Sequence, residues 1–321
     1  MIYKTLGKTG LQVSLVGFGA SPLGQEFGRI DPAEGKRAVH HAIERGINYF
    51  DVSPYYGRTL AEIRLGEALL GYRDKVILAT KAGRYDKDAD TGFDFSAERI
   101  IRSIEESLAR LQTDYVDVFQ IHDVEYGDKQ QIIAETLPAM QRLKQAGKVR
   151  FIGITGYPLH ILKDVVEAAN VDTVLSYCRY NLLGTAMDDV LTPIARREGI
   201  GLINASPLHM RALTEKGAPD WHPAPRRVIE VAQQVSDYCR SRGASVSDLA
   251  MQFALQHEHV AVTLVGMSRV RHVDRNVNAV GIAPDPELLA RVLEMIAPVA
   301  NVCWKEGRPA NDDPGAVEKN S

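Results

Sequence analysis

The stretch "SLVGFGASPLG", Ser14 to Gly24, decides between two α/β architectures. A doubly wound sheet would announce a dinucleotide here through GxGxxG, running from the first strand straight into a helix. The glycines of "GFGASPLG" do not supply that spacing before a helix. Working outward, seven further short apolar runs follow: "INYFDV" (47–52), "KVILAT" (75–80), "YVDVFQI" (115–121), "FIGIT" (151–155), "TVLSY" (173–177), "GLINAS" (201–206) and "VTLVG" (262–266). Amphipathic stretches such as "AEGKRAVHHAIERG", "SAERIIRSIEESLARL" and "ETLPAMQRLKQAG" separate them, with Gly46 and Gly147 as expected C-caps. Eight β/α units argue for parallel strands and a (β/α)8 TIM barrel, which typically takes ~250 residues. The surplus goes to an N-terminal β-hairpin around Gly7 to Gly10, a loop from Leu208 to Pro225, and extra C-terminal helices and loops. One domain spanning 1–321 is expected, with a disordered polar tail from about residue 308, "GRPANDDPGAVEKNS".

Composition narrows the function. The 321 residues are 45% hydrophobic with a net charge of −3. That balance offers no basic face for nucleic acid and no polybasic segment for a lipid surface. No apolar run approaches membrane-spanning length, and "MIYKTLGKTG" lacks the charged-then-apolar pattern of an export leader. A soluble cytoplasmic protein is expected, a monomer or weak homo-oligomer, with a small-molecule partner. Cys178, Cys239 and Cys303 have no pairing or metal-type spacing, which suits a reducing compartment. His257 and His259 end a helical pattern away from the catalytic face, so a metal hydrolase is set aside.

Chemistry in such a barrel sits where strands exit at their C-terminal ends. The second strand ends in Asp51 with Tyr56 in its loop, the third in Lys81, and the fourth in His122. Each alone reads most simply as an ion pair or a packed side chain. Together, on three neighbouring strands, they form a proton-transfer set with no nucleophile and no metal ligands. A lysine ammonium within roughly 4–6 Å lowers a phenol pKa by ~1–3 units, so Lys81 is expected to favour the Tyr56 phenolate. Asp51 would hold Lys81 charged, and His122 would orient a substrate oxygen. Such a site suits hydride transfer, in which a cofactor carries the hydride and the protein the proton.

"FDVSPYYG", "LATKAG" and "DVFQIHD" resemble the signature regions of the aldo-keto reductases. The family's Asp, Tyr, Lys and His fall on Asp51, Tyr56, Lys81 and His122. "RYDKDADTGFDFSAERI", "FIGITGYPL", "LSYCRYN" and "INASPLHMRALTEKGAPDWHPAP" are similar to the L-galactose dehydrogenases and related aldose 1-dehydrogenases of that family. Those enzymes oxidise the anomeric carbon of a sugar to a lactone with NAD or NADP. The resemblance implies a nicotinamide dinucleotide held by the loops after strands five to eight. Thr155 and Gly156 stand where many members carry Ser and Asn against the carboxamide, with Ser176 as a substitute. Ala205 stands where many stack a tyrosine on the nicotinamide, leaving Tyr177 as the stacking surface. Ser206 and Leu208 match the pyrophosphate positions, and Gly266, Ser268, Arg269 and Asn276 the adenosine end. His272 replaces an arginine of many NADP-preferring relatives, whereas Arg269 and Arg271 could clasp a 2′-phosphate, so NAD and NADP both stay open.

For a sugar, polar groups with aromatic faces are the candidates: Tyr55, Tyr85, Asp123, Tyr157, His209 and Trp221, with Trp304 able to close over the mouth. Trp221 leads, because it lies in the polar, Pro-rich "APDWHPAP". Two other readings are open. One is reduction of a small aldehyde or ketone. The other is a cofactor-sensing regulatory subunit of the kind that shares this fold.

Overall fold

The structure, a computed structural model, describes residues 1–25, 28–88 and 91–320. Ala89 and Asp90 of "RYDKDADTGFDFSAERI" and Ser321 of the tail lie outside the described residues. Strands β1 (Tyr3–Thr5) and β2 (Gln12–Ser14) pair antiparallel as the expected hairpin. Eight more close into a barrel: β3 (Val16–Gly19), β4 (Tyr49–Asp51), β5 (Ile77–Ala82), β6 (Val116–Ile121), β7 (Val149–Gly156), β8 (Thr173–Tyr177), β9 (Gly201–Ala205) and β10 (Val260–Gly266). They follow one another in chain order, and β10 pairs in parallel with β3 to close the ring. All eight match the eight apolar runs, which is the pattern of strands buried on both faces.

Edges differ by at most two residues. Strand β4 is three residues long, Tyr49 to Asp51 pairing with Ile77 to Ala79 of β5, and only Phe50 and Asp51 also pairing with β3, opposite Phe18 and Gly19. Strand β5 instead continues past Lys81 to Ala82, paired with Gln120 and Ile121 of β6. Leu6, Leu11 and Val13 of the hairpin pack with Tyr49, Val118, Leu175, Ile203 and Val262 from the barrel interior. The hairpin therefore plugs the N-terminal end and leaves the C-terminal end for chemistry.

In this structure the described tail residues, 308–320, pack against the barrel. Trp304 is 1% exposed and stacks on Tyr157 at 4.1 Å, while its backbone bridges to Val317. Asp313 forms a buried ion pair with Arg179 at 3.0 Å. Asn311 donates to the carbonyls of Glu125 and Gly127 at 2.8 and 3.0 Å. Its polar side chains are satisfied by buried partners instead of water, which composition cannot reveal. Among the described residues no helix is long and apolar enough to cross a membrane. All three cysteines are free and buried, and burial pushes the Cys178 thiol up to about 12.

Candidate active site

The loop that follows β4 starts the site. Its path is fixed by a close approach to the loop after β3. Gly57 has φ +62°, and a Cβ there would come within 2.1 Å of the Gly24 carbonyl oxygen. Only glycine permits that contact, and it seats Tyr56 over the barrel mouth. From β5, Lys81 reaches up into the same space.

Lys81 Nζ spends its three donors on Asp51 Oδ1, on the Val52 carbonyl at 2.9 Å, and on Tyr56 Oη at 3.4 Å. The second Asp51 oxygen accepts from Gln120 Nε2 at 2.9 Å. Asp51 and Lys81 are 4% and 2% exposed, so the pair is dry and both charges are compensated. His122 sits at the exit of β6, with Nδ1 at 2.9 Å from Ser53 Oγ. Its ring meets Tyr56 edge-on at 5.7 Å and Tyr55 at 5.9 Å. The four strand-end residues thus meet at one place, Asp51, Lys81 and His122 buried and Tyr56 half-buried above them. Ser53 and Gln120 escaped the reading of the sequence. Gln120 carried a signal, since strand alternation places it on the same face of β6 as His122.

The electrostatics correct one expectation. Burial pushes the Tyr56 phenol up to about 12, outweighing the nearby Lys81 ammonium, which alone lowers it. Asp51 and Asp123 push it further up. Tyr56 therefore rests as a protonated phenol, not as the phenolate that proximity to Lys81 suggested. Desolvation of this half-buried phenol is larger than the sequence alone could convey. Burial also works against the Lys81 ammonium, yet Asp51 and Tyr56 together hold it above its ordinary value. His122 is pushed well below the usual histidine range by burial, then by Lys81 and Arg84, so its imidazole is neutral.

The expected substrate residues separate. Tyr55 and Asp123 reach the mouth, joined there by Arg84, which sequence reasoning missed: its guanidinium pairs with Asp123 and lies 3.9 Å over the Tyr55 ring. Tyr85 does not line the mouth. Its hydroxyl accepts the Gly83 amide at 3.1 Å and its ring carries Arg99 at 3.7 Å, so it organises the loop after β5. Tyr157 is 1% exposed and is occupied with Trp304 and, through its hydroxyl, with the Trp304 amide. Trp304 is consequently a buried anchor of the tail, not a cover over the mouth. His209 is buried against His222 and Trp304, and burial and His222 bring it down to about 3. Trp221 stays 51% exposed with its ring parallel to that of His222.

On the cofactor side, Thr155 Oγ1 accepts the Asp123 amide at 3.0 Å. A Cβ on Gly156 would lie 2.6 Å from Glu125 Oε2, so the buried Glu125 carboxyl takes the space a side chain there would need. Ser176, at the end of β8, is fully buried and its Oγ is without a partner among the described residues. Tyr177 stands half-buried beside it, with its hydroxyl 3.4 Å from Glu125 Oε1. Ser206 and Leu208 are half-buried after β9. Gly266 at the end of β10 and Arg269 after it are exposed, next to buried Ser268 and Asn276. A Cβ on Gly266 would come within 3.0 Å of the Pro22 ring, so the loop after β3 packs directly on the end of β10. The orphaned buried hydroxyl of Ser176 and the exposed Gly266 and Arg269 fit a nicotinamide dinucleotide laid across β8 to β10. His272 is pushed below its usual range by burial and then by Arg271 and Arg269, and so supplies no cation at that end.

Residues 15–297 match the Aldo/keto reductase family. An L-galactose dehydrogenase of Arabidopsis thaliana is 46% identical over 314 residues, covering 95% of this chain and 97% of that protein. A D-threo-aldose 1-dehydrogenase of a Pseudomonas species is 28% identical, covering 89% and 94%. Among solved structures, an aldo-keto reductase of Bacillus halodurans in its holo form superposes with a TM-score of 0.77 at 28% identity, covering 92% of this chain and 96% of that one. With a closed eight-stranded barrel and a match across nearly its whole length, the chain belongs to the aldo/keto reductase family of NAD(P)-dependent oxidoreductases.

Proposed function

We propose that the chain is an aldose 1-dehydrogenase that oxidises L-galactose, L-fucose or a related aldose to its lactone, with Tyr56 as the general acid/base. The observation that carries the reading is the line Asp51, Lys81, Tyr56, in which one buried ammonium touches both a carboxylate and the phenol, 3.4 Å from the latter. The 46% identity to an L-galactose dehydrogenase supports the sugar class.

When bound, the oxidised nicotinamide dinucleotide supplies the hydride acceptor. Ser176, Tyr177, Ser206, Leu208, Gly266, Ser268, Arg269 and Asn276 are the residues that would hold it, with Thr155 and Gly156 beneath. The remaining work belongs to the four strand-end groups. The substrate's anomeric hydroxyl meets Tyr56 Oη and His122. As the C1–H bond breaks and the C1=O bond forms, the hydroxyl proton passes to the Tyr56 phenolate. Lys81 stabilises that phenolate, Asp51 keeps Lys81 charged, and neutral His122 hydrogen-bonds the developing carbonyl. Residues 1–321 act as a single domain in the cytoplasm, as a monomer or weak homo-oligomer. The three free, buried thiols support that compartment.

A second reading has one observation in its favour. Tyr56 rests protonated, which makes it a ready donor for reducing an aldehyde or ketone. Following NAD and NADP separately in both directions, with L-galactose, L-fucose, other aldoses and simple carbonyl compounds, separates the two. Faster turnover on hydroxyl-free carbonyls than on any aldose would overturn the first.

A further inference from the structure

Arg84 lies three residues past Lys81, and its setting is unlike that of a surface arginine. Its guanidinium pairs with Asp123 Oδ2 and lies 3.9 Å from the Tyr55 ring centre, with Phe93 and Tyr126 at 5.3 and 5.6 Å. Phe93 also bridges its backbone. Aromatic faces and a carboxylate thus fix the cation in one orientation. The Tyr55 ring in turn meets Tyr56 at 6.0 Å and His122 at 5.9 Å, and Asp123 Oδ2 is 3.8 Å from His122 Nε2. A guanidinium is therefore held one ring away from the proton-transfer groups.

A pair that merely tied the β5 and β6 loops together would use its donors on the protein. Arg84 does not, because its Nε is buried without a hydrogen-bond partner among the described residues. A buried charged donor left unpaired is costly, and the side chain as a whole keeps 19% of its surface accessible, so a ligand oxygen can meet the guanidinium from the mouth. The pair is neutral overall, and Glu125 and Glu306 act on the same Tyr177 that Asp123 and Arg84 face. The mouth therefore suits a neutral hydroxyl, which accepts from the guanidinium and donates to the carboxylate, better than a phosphate or carboxylate. We infer that Arg84, braced by Asp123 and Tyr55, is a specificity-determining residue that reads a ring hydroxyl of a neutral aldose. The inference rests on the aldose reading above.

The test is kcat/KM for L-galactose against its 2-, 3-, 4- and 6-deoxy forms, in the wild type and in Arg84→Ala. The wild type should favour L-galactose over one deoxy form by about 10-fold, the worth of a charged hydrogen bond. Arg84→Ala should bring that ratio close to 1, mainly through KM on L-galactose. Asp123→Asn, which keeps the side-chain shape, should relax the same ratio even if the alanine variant folds poorly. Ratios unchanged in both variants, with activity falling equally on every sugar, would make Arg84 structural and overturn the inference alone. A wild type inactive on every aldose overturns the aldose reading and the inference together.

Discussion

Lys81 Nζ lies 3.4 Å from Tyr56 Oη, yet burial still holds the phenol up at about 12. The sign of the pH dependence follows. Oxidation needs the phenolate, whose fraction rises with pH everywhere below that value, so sugar oxidation should climb between about pH 7 and 10. Reduction uses the phenol and should stay level over the same range. Because His122 is already neutral, neither profile should show a histidine limb near its ordinary pKa. Initial rates in both directions across that range check this, and a flat oxidative profile would contradict it.

Asp51 keeps Lys81 charged against burial. In Asp51→Asn the ammonium loses that support and titrates at lower pH, so the oxidative profile should fall away earlier than in the wild type. Breaking a buried pair on one side should also cost about 3 kcal/mol in denaturant titrations. A variant with lower stability but an unchanged pH profile would reduce the pair to scaffolding.

Glu125 is fully buried, and burial and then Asp123 hold its carboxyl well above the usual range. A carboxyl raised in the folded state favours folding only while protonated. Its contribution is complete below the unfolded value and declines as pH rises from there toward the folded value. Glu125→Gln, neutral throughout, should therefore stabilise the protein at pH 7 by about 1 kcal/mol or more, with the gain shrinking toward pH 4. Melting temperatures of both proteins across that interval test it; equal values at pH 7 would refute it.

The tail depends on a pair 134 positions apart in the chain, Arg179 and Asp313. Asp313→Ala should leave a buried guanidinium unpaired and cost about 3 kcal/mol. Proteolysis should then cut first near residues 305–320. Resistance equal to the wild type would show that the tail is held by other contacts.

Legibility tracked sequence distance. The eight strands could be read because strands buried on both faces appear as short apolar runs, and Asp51, Tyr56, Lys81 and His122 because each sits at or just past a strand exit. The direction of the Tyr56 shift could not be read, since it depends on how far Gly57 and Gly24 press the loops together over the pocket. Arg84 was hidden for a related reason. Its partners Tyr55, Phe93, Asp123 and Tyr126 come from three separate loops. The polar tail read as disorder because Asn311 and Asp313 look the same in a sequence whether water or a buried partner satisfies them. Tyr85 and Tyr157 looked like pocket walls until Gly83, Arg99 and Trp304 were seen to occupy them.

The most direct measurement is formation of reduced cofactor with L-galactose by the wild type and by Tyr56→Phe, alongside cofactor binding by fluorescence. The account predicts wild-type turnover to a lactone, a Phe variant slower by about 10²–10⁴-fold, and cofactor affinity nearly unchanged. A Phe variant with near wild-type kcat would contradict it.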